Sequence, residues 1–397
     1  MKKKDAFLLL FLFFFWRIFL FIPLFVGDFI LKFHKGYEYV HLWKFVQPYF
    51  PVNSVLLYPW ANFDGIHYLM IASQGYSNNL GFMPLFPIAL NLVANLFGGG
   101  ETFSIVYFLT GFFLANIFFL ISLFIFFKLL RLDYSKSKTL QTIIFLVIFP
   151  TSFFFGAIYS ESMFLLLTLL SFYFARKGQW FFAGIVGFFL PITRIVGIFI
   201  LPALIVEFFQ QENILKKWKK LAYIERIKII KKSIPIFFIP LSIVFYSIYN
   251  YLQKGDYLYF LHAHGNVGNS RTVDGLVFIP QTVYRYFKIL ISVPTVQAEW
   301  WVSLLEITVF LLVIWLLILA FKYKVRLSYL VFAALCFLLP VSSGTFSGLP
   351  RYALILFPIF IAITLATNKT RKILHVVFSI LLLFILLMFF SKGCFIA

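Results

Sequence analysis

The fold class this sequence predicts is an all-α polytopic membrane protein, and three observations predict it. The first is composition: of 397 residues, 62% are hydrophobic and 12% charged, where an average soluble domain carries about 45–50% apolar and about 25% charged residues. A soluble fold of this length cannot hide so much apolar surface, which excludes the soluble globular, disordered and fibrous classes. The second is that the apolar residues gather in long runs of membrane-helix character. The third is charge that alternates between those runs, the mark of a chain threaded repeatedly through a bilayer. Counting domains by length does not transfer to such a chain, so residues 1–397 read as one integral-membrane domain.

Taken in order, Met-Lys-Lys-Lys precedes a run at 6–31. That run is too long for the apolar part of a signal peptide and lacks a small-residue cleavage site, so it reads as a retained first span. The stretch 82–97 is short and opens with Pro84 and Pro87, which predicts a re-entrant or interfacial helix. Further runs lie at 103–127, 140–157, 159–175, 180–193, 195–209, 233–252, 301–321, 327–343, 351–367 and 373–391. Several fall short of the ~20 residues a straight span needs, and 180–193 with 195–209 could form one crossing, so charge must arbitrate. With the N-terminus inside and one crossing per run, the inside segments are 2–4, 128–138, 176–177, 216–232, 322–326 and 369–372. These hold 23 of the 34 Lys and Arg. Merging 180–209 would throw the basic segment 216–232 outside, so the hairpin reading wins. About eleven transmembrane helices are expected, with a cytoplasmic N-terminus in the cell membrane and the C-terminus outside.

The acidic residues distribute the other way, nine of the fourteen lying outside or near the outer ends. Two long outer segments, 32–102 and 253–300, exceed what connectors need, so any chemistry is expected to face outward. The net charge of +20 is then an orientation signal and not the footprint of a nucleic acid. Cys336 and Cys394 make neither a disulfide framework nor a metal cluster.

The most informative stretch is Trp60-Ala-Asn-Phe-Asp64-Gly-Ile-His67-Tyr68, continuing to Gly75-Tyr76. Asn62 or Asp64 is expected to cap a short helix with Ile66, Leu69, Met70 and Ile71 on its apolar face, ended by Gly75. Asp64, His67 and Tyr68 at i, i+3 and i+4 share one face. A carboxylate, an imidazole and a phenol together can take a hydroxyl proton and steady a phosphate. The plain alternative is that Asp64 is only a helix cap.

These residues, followed by Phe82-Met-Pro84-Leu-Phe86-Pro87, resemble the signature of the PIG-V-like mannosyltransferases. The resemblance continues in order through Pro150-Thr-Ser-Phe-Phe-Phe, Tyr159-Ser-Glu161-Ser162, Thr193-Arg194-Ile-Val-Gly197, Pro350-Arg351-Tyr352 and Phe357-Pro358. The family is related to the enzyme adding the second mannose in GPI-anchor assembly. The short spacing from Tyr76 to Phe82 and the compact chain favour a prokaryotic relative. What the resemblance implies is a GT-C-like fold and an inverting transfer of mannose, or another hexose, from a polyprenyl-phosphate donor on the extracytoplasmic face. The acceptor would be a lipid, glycan or protein, and no cofactor or metal is implied. Asp64 is then the expected general base, with His67 and Glu161 as catalytic partners. Arg194 and Arg351 are expected on the donor phosphate, since guanidinium binds it bidentately, with Tyr68 and Tyr352 beside them. Glu161 has a structural alternative, an ion pair with Arg194.

In the second outer segment His262-Ala-His264 offers acceptor recognition, with plain loop polarity as the blander alternative that ranks ahead of it; two histidines at i, i+2 lack an evident third metal ligand. The stretch 277–293 reads as an interfacial helix, and Trp300-Trp301 as part of an aromatic belt. Two other functions share this composition. A polysaccharide polymerase or ligase would keep the glycosyl chemistry. A lipid or solute transporter would show mid-span charges and an inverted repeat; Glu306 is the main acid deep in a run, and the motif blocks do not repeat.

Overall fold

The computed structural model describes residues 2–36, 56–76, 80–101, 103–217, 222–263, 272, 275–366 and 368–396. Among them are helices and turns and no strand. Five helices are long and apolar enough to cross a membrane: Lys3–Ile30, Ile105–Leu130, Tyr223–Lys254, Ala298–Lys322 and Thr370–Ser391. A sixth crossing is reached if the pair Leu349–Ile355 and Pro358–Ala366, bent by 82°, counts as one. The bend follows from Pro358, which disfavours helical backbone at the residue before it.

The other apolar runs form shorter helices, and their sequences say why. The 140–157 run begins as the helix Lys136–Val147 and stops short of Pro150. The chain then tightens into a buried 3-10 turn at Ser152–Gly156. Residues 159–175 give the helix Glu161–Arg176, and the hairpin pair gives Trp180–Phe189 and Ile195–Gln211. The stretch opening with Pro84 becomes the short helix Leu85–Leu96. The predicted interfacial helix appears as Ile279–Ser292, with Thr282 and Tyr286 inward and Phe278, Tyr284 and Ile291 exposed.

Packing relies on phenylalanine and on small residues where backbones close up. Phe119, Phe126, Phe153, Phe155, Phe164 and Phe172 are fully buried, and Phe119 stacks on Phe155 at 4.5 Å. Gly184 lets the Trp180–Phe189 helix touch the 3-10 turn Ile234–Phe238, since a Cβ there would stand 2.1 Å from the Pro235 carbonyl oxygen.

The ion pairs sort the chain into two ends. At one end Asp5 pairs with Lys136, and Arg176 holds Asp133 through two hydrogen bonds of 2.5 and 2.7 Å. Buried Glu207 accepts two hydrogen bonds from Arg326 and one from Ser328, each 2.6 Å. Lys232 pairs with Glu212, and Lys372 donates to Gln141 at 2.6 Å. Three of the segments predicted to share one membrane side, 128–138, 176–177 and 322–326, therefore meet through Asp133 and Glu207. At the other end Lys392 meets Asp28 at 2.5 Å, close to the residues of the sequence motifs.

Candidate active site

The site is built outward from an anchored turn. Tyr58–Ala61 form a buried 3-10 turn. The Trp60 carbonyl accepts from Ile158 N (2.8 Å), and the Asn62 carbonyl accepts from the Tyr159 hydroxyl (2.7 Å). Asn62 Nδ2 donates to the Phe390 carbonyl (3.0 Å). Phe63 follows at φ 56°, ψ −115°, a left-handed conformation that costs a bulky residue about 1–3 kcal/mol. Its ring lies between those of Phe390 (5.5 Å) and Phe395 (5.2 Å).

Asp64 is thereby set at the first position of the helix Asp64–Gln74, which closes at Gly75 with φ 75°. The capping expected of Asn62 or Asp64 is not what occurs: no side chain caps this helix. The Asn62 amide is taken by Phe390, and the Asp64 carboxylate goes to Arg351 at 2.5 Å. A charge-assisted bond to guanidinium outcompetes a backbone N–H. The apolar face is as expected, with Ile66, Leu69 and Ile71 buried and Met70 half-buried.

Four charges interlock here. Arg351 Nη1 donates to Asp64, and its Nε stands 3.3 Å from Glu161 Oε1. Arg194 Nη1 also donates to Glu161. Glu161 is 1% exposed at its side chain and Asp64 25%, so Asp64 is the more accessible of the two carboxylates. Arg194 lies over the Tyr352 ring at 4.9 Å. Burial pushes the Asp64 carboxyl up, but the Arg351 guanidinium outweighs it and holds the group below its ordinary range.

A cavity of about 450 Å³ opens onto this cluster, lined by Asp64, Tyr68, Arg194, Arg351 and Tyr352 among others. Tyr68 also shares a 3.0 Å hydrogen bond with Ser160. His67 stands behind the wall, stacked on Phe82 at 4.9 Å, and burial pushes its pKa down. Glu161 likewise lies behind the two arginines, and its pairing with Arg194 is the structural alternative the sequence offered. His262 is half-exposed and bonded to Asp256 (2.6 Å); its neighbour Leu261, not its own ring, lines the cavity. His264 lies outside the described residues.

Several residues around the site carried little signal. Ser342 and Ser343 line the cavity, and their carbonyls accept from Val277 N (2.8 Å) and Thr272 N (3.0 Å). Backbone pairing of this kind leaves no trace in residue type. Glu306 accepts from Tyr286, whose hydroxyl also accepts from Phe346 N (2.9 Å), so this deep acid secures the turn before Arg351. Arg17 did carry a signal, being a cation within an apolar run. It is 8% exposed and lies 3.9 Å from the Trp60 ring centre and 4.4 Å from that of Phe112, bracing the turn before Asp64. Among the described residues, no three His, Cys, Asp or Glu side chains gather as a metal site.

The profile of the family described as Mannosyltransferase (PIG-V) matches residues 8–288, more than half of the chain. The chain belongs to this family. The match takes in Asp64, His67, Tyr68, Glu161 and Arg194, and ends before Arg351 and Tyr352. No curated protein and no solved structure matches the chain. Membership of the mannosyltransferase family makes this a glycosyltransferase of the membrane, multi-pass by its long apolar helices, with a lipid-linked sugar donor implied.

Proposed function

We propose that this mannosyltransferase moves a mannose, or a related hexose, from a polyprenyl-phosphate donor to a lipid, glycan or protein acceptor, inverting the anomeric centre. The observation that carries the reading is the convergence of Asp64, Arg194 and Arg351 on one cavity. The acceptor hydroxyl oxygen attacks the anomeric carbon while Asp64 takes its proton. The bond from that carbon to the phosphate oxygen breaks, and the electron pair leaves with polyprenyl phosphate. Arg194 and Arg351 hold the phosphate as its charge grows. A carboxylate bonded to Arg351 is a weak base. A donor phosphate that draws Arg351 away therefore raises the basicity of Asp64 when the substrate is in place. Glu161 keeps the two arginines together, and the group needs no metal for this step.

In the same reading eleven crossings are completed by the shorter helices with their flanking 3-10 turns. The N-terminus is then cytoplasmic and the cavity extracytoplasmic in the cell membrane. The test is purified protein given polyprenyl-phosphate-mannose and a lipid or peptide acceptor. Asp64→Asn is expected to lower transfer at least 1,000-fold, in the range of a lost general base with its ion pair, measured on protein that still shows a cooperative melting transition. Full activity in Asp64→Asn would remove the base assignment. Solute uptake into vesicles with no sugar transfer would favour a transporter.

A further inference from the structure

We infer that the end of the bundle away from the catalytic cavity carries a second ligand site, a groove for one anionic phospholipid with its phosphate on Lys322 and Lys324. An open groove of about 1330 Å³ lies there, above the ~300–1,000 Å³ of ordinary small-molecule pockets. Its floor is apolar, formed by Ile205, Val206 and Phe209 on one helix and Leu327 and Leu330 on another.

The charges at its rim do not cancel. Arg326 is taken by Glu207, and Arg176 by Asp133 and Glu207, so two guanidiniums face two carboxylates. Lys322 and Lys324 also line the groove, both are exposed, and among the described residues no carboxylate pairs with either. A tight turn ends the helix that carries Lys322 and sets Lys324 two residues on: Lys324 has φ 55°, and Val325 N returns to the Ala320 carbonyl at 2.9 Å. Lysines at a helix end also complement its dipole, which accounts for their charge but not for an apolar groove beneath them. Two ammonium groups above apolar helix faces match one lipid phosphate over two acyl chains. The helix Leu327–Val341 carries this groove at its first turn and lines the catalytic cavity with Leu339 and Pro340 near its last, a separation of about 20 Å at 1.5 Å per residue. The site is thus distinct from the transferase cavity and does not depend on the reaction proposed there.

The experiment is native mass spectrometry of the delipidated full chain in detergent, titrated with phosphatidylglycerol or phosphatidylcholine of the same acyl chains. One phosphatidylglycerol is expected to stay bound under activation that strips phosphatidylcholine. The double variant Lys322→Gln/Lys324→Gln is expected to bind it roughly 30-fold more weakly, at about fivefold per lysine. Lys138→Gln/Arg371→Gln, which removes two exposed cations outside the groove, is expected to bind as the parent does. Val206→Trp, which fills the floor without changing charge, is expected to weaken binding too. Equal retention of the two lipids, or parent-like binding by the lysine double variant, overturns the proposal. So does displacement by glycerol phosphate as effective as by the lipid, because the groove would then hold a soluble anion.

Discussion

Asp64 is pulled two ways, since burial favours its neutral form while Arg351 favours its charge, and the guanidinium prevails. What matters at Arg351 is therefore the fork as much as the charge, because one side chain reaches both Asp64 and Glu161. Arg351→Lys keeps the charge and loses the fork. Donor kcat/KM is expected to fall about 10- to 100-fold, as for one or two charge-assisted hydrogen bonds, and steady-state kinetics against donor concentration checks this. His67 sets a different dependence. Burial depresses its folded pKa below the ordinary histidine value of about 6.5, and its Nδ1 is buried without a hydrogen-bond partner among the described residues. The unfolded chain then binds the proton first, so this contribution to stability is full above about pH 6.5 and is lost as pH falls through the depressed value. His67→Phe is expected to melt with a smaller drop between pH 7 and pH 5 than the parent protein, measured by thermal unfolding in detergent.

At the scale of elements, the turn that sets the helix Asp64–Gln74 is anchored to a piece of chain 328 residues away. The end of Lys369–Ser391 takes the Asn62 amide at the Phe390 carbonyl, and Phe390 and Phe395 grip the ring of strained Phe63. The family match stops at residue 288, so this clasp comes from outside it. Phe395→Ala is expected to lower kcat about tenfold with KM little changed, because a loosened Phe63 misplaces Asp64. Phe63→Gly, which relaxes the left-handed backbone while losing the same ring contacts, is expected to melt higher than Phe63→Ala. The two measurements separate strain from packing. The broken runs have causes of the same local kind: Pro150 and Pro358 end helices that hydropathy alone would continue.

On the scale of the molecule, the bundle is strapped ionically at one end and opens the Asp64 cavity at the other. Glu207 is the centre of the strap, fully buried and bonded to Arg326, Ser328 and Gln211. Breaking a fully buried pair costs about 3–5 kcal/mol. Arg326 is 27% exposed and screened by solvent, so Glu207→Gln is expected to cost about 2–3 kcal/mol. Chemical unfolding in mixed micelles checks the value, with transfer activity of the remaining folded protein unchanged. Through Glu207 and Asp133 the strap joins Arg176, Arg326 and the segment 128–138 at this end.

Composition and the apolar runs determined by themselves that this chain is a helical membrane protein, because hydrophobicity acts residue by residue. The motif blocks also determined the family. Only the tertiary structure decided that Arg351 closes on Asp64, that Glu161 and His67 stand behind the cavity wall, and that Asn62 is an anchor to the last helix and not a cap. These contacts join residues far apart in the chain, and a side chain's polar partner is chosen by what packing brings within about 3 Å. Local spacing cannot supply that choice. Helix length belongs to the same class: hydropathy marks where a run is apolar, while the prolines and the neighbours it packs against decide how much of it stays helical.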